Sequence, residues 1–109
     1  MGYKKYKIEK HIKKYITAEL YNYEGNKKKI EKMKEQINTR EFLIAIEKTK
    51  NIERALEKFS RQEQSDIEKI FFRGHSQIYA EMNDGISKDM YYYLKDKMIY
   101  LTAKEYGQI

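Results

Sequence analysis

Apolar residues recur along this chain at steps of three, four or seven, a spacing that predicts helix almost from end to end. From Ile8 they run through Ile12, Ile16, Leu20, Tyr23, Ile30, Met33 and Ile37. Ile16, Tyr23, Ile30 and Ile37 fall on one seven-residue series. Such a seam seeks a partner helix, within the chain or across a two-fold dimer. Gly25-Asn26 interrupts the series and three lysines follow; glycine costs about 1 kcal/mol in a helix interior. Two forms are open: one long helix with a weak point, or an antiparallel pair turning near Gly25.

A second start stands at 38–41, "NTRE", where Asn38 can cap a helix and Glu41 can bond back to it. Phe42, Ala45, Ile46, Thr49, Ile52, Leu56 and Phe59 then form a stripe with Ala55 beside it, so this helix is expected to reach about Phe59. "SRQE" at 60–63 repeats the capping pattern with Ser60 and Glu63. The helix it opens turns Ile67, Ile70 and Phe71 inward and closes near Arg73-Gly74. Ser76 can cap a short helix holding Ile78, Tyr79 and Met82, and Asn83-Asp84-Gly85 suits a turn with positive φ. Ser87 caps a last helix that buries Tyr91, Leu94, Met98 and Leu101 and ends at Tyr106-Gly107. The expected fold is all-α, with five or six helices and no strand. Residues 1–37 form an N-terminal helical arm or hairpin, and 38–109 a small bundle with a helix-turn-helix at about 76–98.

Charge adds a partner class to this picture. Residues 1–37 hold 11 basic and 5 acidic side chains, 38–72 hold 7 and 7, and 73–109 hold 5 and 5. All of the net +6 therefore lies in the N-terminal third. That placement suits a polyanion such as nucleic acid, although lysine-rich helix faces can also be merely solvated. The chain has no cysteine and no proline, so neither a disulfide nor a thiolate metal site is available and no helix is forced to break. No apolar run approaches the roughly 20 residues that cross a bilayer. The basic N-terminus lacks a signal peptide's apolar segment. Its glutamates and lack of clustered large apolar residues disfavour a membrane-surface helix. A cytoplasmic protein without a membrane partner is expected. Met33, Met82, Met90 and Met98 read as core filling.

Within 76–98 the second helix carries the candidate chemistry. With Tyr91, Leu94, Met98 and Leu101 facing in, the 3.6-residue period turns Ser87, Lys88, Asp89, Tyr92, Tyr93 and Asp96 outward. Ser87 and Lys88 can bond phosphates or base edges, and Tyr92 and Tyr93 can offer a hydroxyl to phosphate or a ring to a thymine methyl. Ser76 and Gln77 at the start of the first helix, with Lys95, complete the candidate DNA-binding set. Asp89 and Asp96 would repel the backbone, although aspartate can accept from cytosine N4. Because 73–109 is neutral, lysines at 4–14 and 27–34, or a second copy, would have to supply phosphate neutralisation. The other reading of this segment is a helical hairpin with a solvated outer face.

Catalysis finds no foothold. His11 lies among lysines and His75 follows Gly74 in a turn, where a solvated histidine is expected, with a phosphate contact as the alternative. Neither has ligand spacing to a second histidine, and there is no glycine-rich phosphate loop. No catalytic residue, metal or cofactor is expected, and the chain is not read as an enzyme.

The order "ALEKFSRQEQSDIEKIFF…SQIYAEM…GISKDMYYYLKDKMIYL" resembles the fourth conserved region of bacterial sigma factors. It looks most like the ArpU/RinA-type regulators of Gram-positive phages and prophages, whose N-terminal segment is similar to "YITAELYNYEGNKKKIEKMKEQI". The resemblance implies a sequence-specific DNA-binding activator of transcription, of a late phage operon. The turn departs from the family pattern: Tyr79 takes the small-residue place, Met82 the aliphatic one and Asn83 the glycine, with Asp84-Gly85 inserted before Ile86. Two rivals stand beside it. One is a phage DNA accessory protein for excision, recombination or packaging. The other is a helical adaptor gripping another protein, such as RNA polymerase.

Overall fold

The computed structural model describes residues 6–33 and 39–109. All regular structure among them is helical. The elements are α1 (Lys10–Tyr21), α2 (Tyr23–Lys32), α3 (Arg40–Leu56), α4 (Arg61–Ile67), α5 (Gln77–Tyr79) and α6 (Lys88–Glu105). Two of them run on into wider π turns, α4 through Glu68–Phe72 and α5 through Ala80–Asp84.

The weak point in the first helical run is Asn22, not Gly25. Asn22 lies between α1 and α2 at φ −88 and ψ 1, while Gly25 sits inside α2. Helical hydrogen bonding carries across the break, from Asn22 N–H to Ala18 O and from Asn26 N–H to Asn22 O. Aromatic packing gives the reason. Tyr21 and Tyr23 would point about 200° apart in a straight helix. With the break between them, Tyr21 reaches Phe71 (ring centroids 5.5 Å) and Tyr23 stacks on Phe72 (4.4 Å).

The seven-residue seam is used within the chain. Ile16 and Tyr23 are buried and Ile30 is half-buried. α2 packs along α3, and the Tyr23 hydroxyl donates to Glu53 Oε2 at 2.8 Å. Ile37 lies outside the described residues, as does the expected cap Asn38. Thr39 caps α3 instead, its Oγ1 accepting from Phe42 N–H at 3.3 Å. α3 stops at Leu56, short of Phe59, which is nonetheless buried in the turn that follows.

Ser60 and Glu63 form the expected reciprocal cap, with Glu63 N–H donating to Ser60 Oγ and Ser60 N–H to Glu63 Oε1. Beyond Ile67 the bonding widens, Arg73 N–H reaching back to Glu68 O. The wide turn buries the adjacent Ile70 and Phe71 together. Gly74 then closes it at φ 67.

α5 and its π turn depart most from expectation. Ile78, Tyr79 and Met82 are 68%, 48% and 79% exposed, and the residues facing the core are Ala80 and Ile86. The small residue that lets this helix approach its neighbours is thus Ala80, and Tyr79 points outward onto the His75 ring at 4.5 Å. Met82 and Met90 are surface residues; of the four methionines read as filling, Met98 is in the core and Met33 half-buried. Gly85, at φ 68, turns the chain into α6.

Tyr91, Leu94, Met98, Ile99 and Ala103 of α6 form the spine of the core. Leu101, expected inside, is only partly buried against it. Ile16, Leu20 and Tyr23 belong to this same cluster, together with Ile52, Ile67, Ile70 and Phe71. α1 and α2 therefore do not stand off as an arm; the change of pattern near residue 38 falls between two stretches that share one core.

Candidate nucleic-acid interface

Ser87 holds the start of α6 by accepting Met90 N–H at 3.2 Å. From there the helix has one uncovered side. Ser87, Lys88 and Asp89 are exposed, and Tyr92 is 41% exposed with its ring edge-on to buried Tyr91. At 100° per residue, Lys88, Tyr92, Asp96 and Ile99 lie on one stripe. The stripe is open for two turns and then runs under α1, where Ile99 is buried and Asp96 pairs with Lys13 Nζ at 3.6 Å.

Tyr93, expected to face out, is half-buried. Tyr6, in the segment leading to α1, packs edge-on to it at 6.1 Å and also against Tyr100 at 5.4 Å. The Tyr93 hydroxyl accepts from Lys97 Nζ at 3.3 Å. Lys95 is likewise half-buried, its ammonium over the Tyr91 ring. Asp96 is only partly exposed and has its cation, so its charge is not simply set against a polyanion.

The other candidates lie at the start of α5. Ser76 is exposed and its Oγ accepts from Tyr79 N–H at 3.2 Å. Gln77 donates from Nε2 to Glu81 Oε2 at 2.7 Å. They are brought to α6 by the buried side of the first turn, where the Tyr91 hydroxyl donates to His75 O at 3.1 Å. Burial pushes the Tyr91 hydroxyl above its usual range, which keeps it protonated as that donor.

His75 is not the solvated loop residue expected. Its Nδ1–H donates to Asp84 Oδ2 at 2.7 Å, and the two side chains are 20% and 9% exposed. The pair ties the residue before the cap of α5 to the last residue of its π turn. His11 does stay at the surface, 3.3 Å from Glu9. Among the described residues there is no group of three His, Cys, Asp or Glu placed to hold a metal ion, and no helix long and apolar enough to cross a membrane.

Sequence reasoning missed the two arrangements that shape this surface, Lys13 on Asp96 and Asp84 on His75. The first joins residues from opposite ends of the chain, which no periodicity connects. The second had one local hint, an aspartate beside a glycine in the turn, but the curl that brings it back to His75 is a π turn with no signature of residue types. Comparison of the chain with protein-family models, with curated proteins and with solved structures returns no match.

Proposed function

We propose that the protein binds duplex DNA by laying the first two turns of α6 in the major groove, as a phage-type activator of transcription acting in the cytoplasm. The observation that carries this reading is the open stripe. Ser87, Lys88, Asp89 and Tyr92 stand uncovered on a helix whose opposite side is the spine of the core. A reading helix needs that combination, a rigid buried side and polar, hydroxyl-bearing first turns presented to base edges. In this reading Ser76, exposed at the start of α5, meets a backbone phosphate. Lys95 and Tyr93 support α6 in this scheme and do not read bases. The role as activator rests on the family resemblance alone.

Lys88→Ala combined with Tyr92→Ala tests the assignment. Both side chains are outward, so the fold should persist by circular dichroism. Sequence-specific affinity should fall by about 1–3 kcal/mol for each base that is no longer read. Unchanged affinity for target DNA in a folded double variant would sink the reading. A reporter on late promoters separates an activator from an excision, recombination or packaging protein, since only the activator raises transcription.

A second reading is favoured by one specific observation. Ile78 of α5 and Met82 of its π turn are the most exposed of the large apolar residues described. That face suits an adaptor that grips another protein, RNA polymerase among the options. Binding to random duplex that weakens steeply with salt argues for the first reading over this one. Two copies on two half-sites would show as a dimer in sedimentation.

A further inference from the structure

We propose that the lysine face of α1 is a backbone-binding rail, a sequence-independent site for DNA phosphates beside the groove that α6 enters. The inference rests on the α6 reading and adds the surface that supplies its affinity.

Two concave surfaces meet along α1. One, of about 530 Å³, lies between the start of the chain and α6 and is lined by Lys7, Lys10, Lys13 and Asp96. The other follows the outer side of α1 past Lys10, Lys13, Lys14 and Thr17 to Tyr21. Sharing Lys10 and Lys13, they form one continuous basic strip. Lys13 fixes the strip to α6 through Asp96, so the strip adjoins the stripe that carries Lys88 and Tyr92. Among the described residues Lys7, Lys10 and Lys14 make no ion pair, and all three are exposed. Three cations thus face solvent; Asp96 of α6 is paired with Lys13, and Glu9, the other acid at this end of α1, lies 3.3 Å from His11 Nδ1.

Spacing favours duplex over a diffuse surface. Lys10 and Lys14 are one helical turn apart, a rise of about 6 Å. Phosphates of one strand rise about 3.4 Å per step along the duplex axis and the winding of the strand adds to their separation, so the two ammonium groups can meet neighbouring phosphates. A lipid surface is the poorer match. The aliphatic residues of α1, Ile12, Ile16 and Leu20, are buried in or packed against the core, which leaves Tyr15 and Tyr21 as its exposed large apolar side chains, and an interfacial helix needs a continuous apolar face free to insert. The rail also resolves a mismatch, because residues 73–109 are charge-balanced and cannot alone provide phosphate neutralisation.

The test is a salt titration of binding to a random-sequence duplex, followed by fluorescence anisotropy, with the full chain. Lys10→Gln with Lys14→Gln should lower the slope of log affinity against log salt by about 2, roughly 0.9 for each phosphate no longer neutralised. Lys28→Gln with Lys29→Gln, which removes equal charge from α2, should leave the wild-type slope. An α1 variant with the wild-type slope overturns the rail, and so does an equal loss in both variants, which would make net charge the cause. In either case the α6 reading survives if Lys88→Ala with Tyr92→Ala still loses target preference. A wild-type chain that binds no duplex overturns both. Anionic vesicles that bind the wild type but not the α1 variant, with the duplex slope unchanged, would assign the strip to lipid and also overturn the rail.

Discussion

His75 and Asp84 are both mostly buried, and each would leave a polar group stranded without the other. Their bond closes the loop formed by α5 and its π turn. His75 also holds α6 through its carbonyl, which accepts from Tyr91. One residue therefore links the turn before α5, the end of its π turn and the first turn of α6. Asp84→Ala should destabilise the protein by about 1–3 kcal/mol, the cost of an unsatisfied part-buried group, measured by chemical denaturation. Asp84→Asn retains an acceptor for the imidazole N–H and should cost less than the alanine variant. Equal stability of wild type and Asp84→Ala would show that the clasp contributes nothing. Lys13 and Asp96 make a contrasting pair. They lie near the surface, 53% and 26% exposed, so their value is in orienting α1 on α6 more than in stability.

Helix ends were largely legible because caps are local chemistry. Ser60, Ser76 and Ser87 each accept from the backbone N–H three residues on, and a cap needs no more than that spacing. Gly74 and Gly85 adopt the left-handed conformation expected of them. Tyr91, Leu94 and Met98 on the buried face of α6 also followed from periodicity, since a single long helix keeps its phase, whereas Leu101 is only partly buried and Ile99 and Ala103 complete the core face. What escaped was the phase of α5 and its π turn. Three residues of regular α-helix are too few for a 3.6-residue count to show which side faces the core, and Ala80, where the bonding widens, is found there in place of Tyr79 and Met82. Tyr93 lies beyond periodicity for a different reason: its neighbour Tyr6 comes from the far end of the chain. Of the candidate site, the first two turns of α6 could be read in advance, but its basic flank could not be told apart from the equally lysine-rich α2. Gly25 gives a test at this scale. It occupies an ordinary position within α2, and an added Cβ would meet nothing within 4 Å. Gly25→Ala should therefore stabilise the chain by roughly 0.5–1 kcal/mol, seen as a higher denaturation midpoint. A loss of stability would mean that the break at Asn22 depends on glycine downstream.

Across the whole molecule the first and last helices lie side by side, and the contacts between distant segments are rich in tyrosine. Tyr15 packs on Tyr106, Tyr6 on Tyr93 and Tyr100, and Tyr21 and Tyr23 on the phenylalanines after α4. Tyrosine supplies large apolar area, but its hydroxyl must stay protonated where it is buried. Burial is the largest cause raising the hydroxyls of Tyr15, Tyr23, Tyr91 and Tyr106 above their ordinary 10.0, and at Tyr23 the bond to Glu53 adds to it. Lys48 is also raised, chiefly by its hydrogen bond to Glu19, whose oxygen lies 2.6 Å from its ammonium. Every one of these groups holds its proton more tightly folded than unfolded. Above pH 10.0 the unfolded chain sheds tyrosine protons that the folded chain retains, and rising pH then favours unfolding. Below that point both states are protonated at these sites, and their contribution is constant. Thermal unfolding followed from about pH 8 to about pH 11 should thus show, from these groups, a flat region and then a decline that begins near the ordinary tyrosine value. Tyr106→Phe isolates the effect, because the Tyr106 hydroxyl is buried with no hydrogen-bond partner among the described residues. The variant should be at least as stable as wild type at neutral pH and should lose less stability through the alkaline limb. An alkaline limb identical in wild type and variant would show that this buried hydroxyl does not contribute to it.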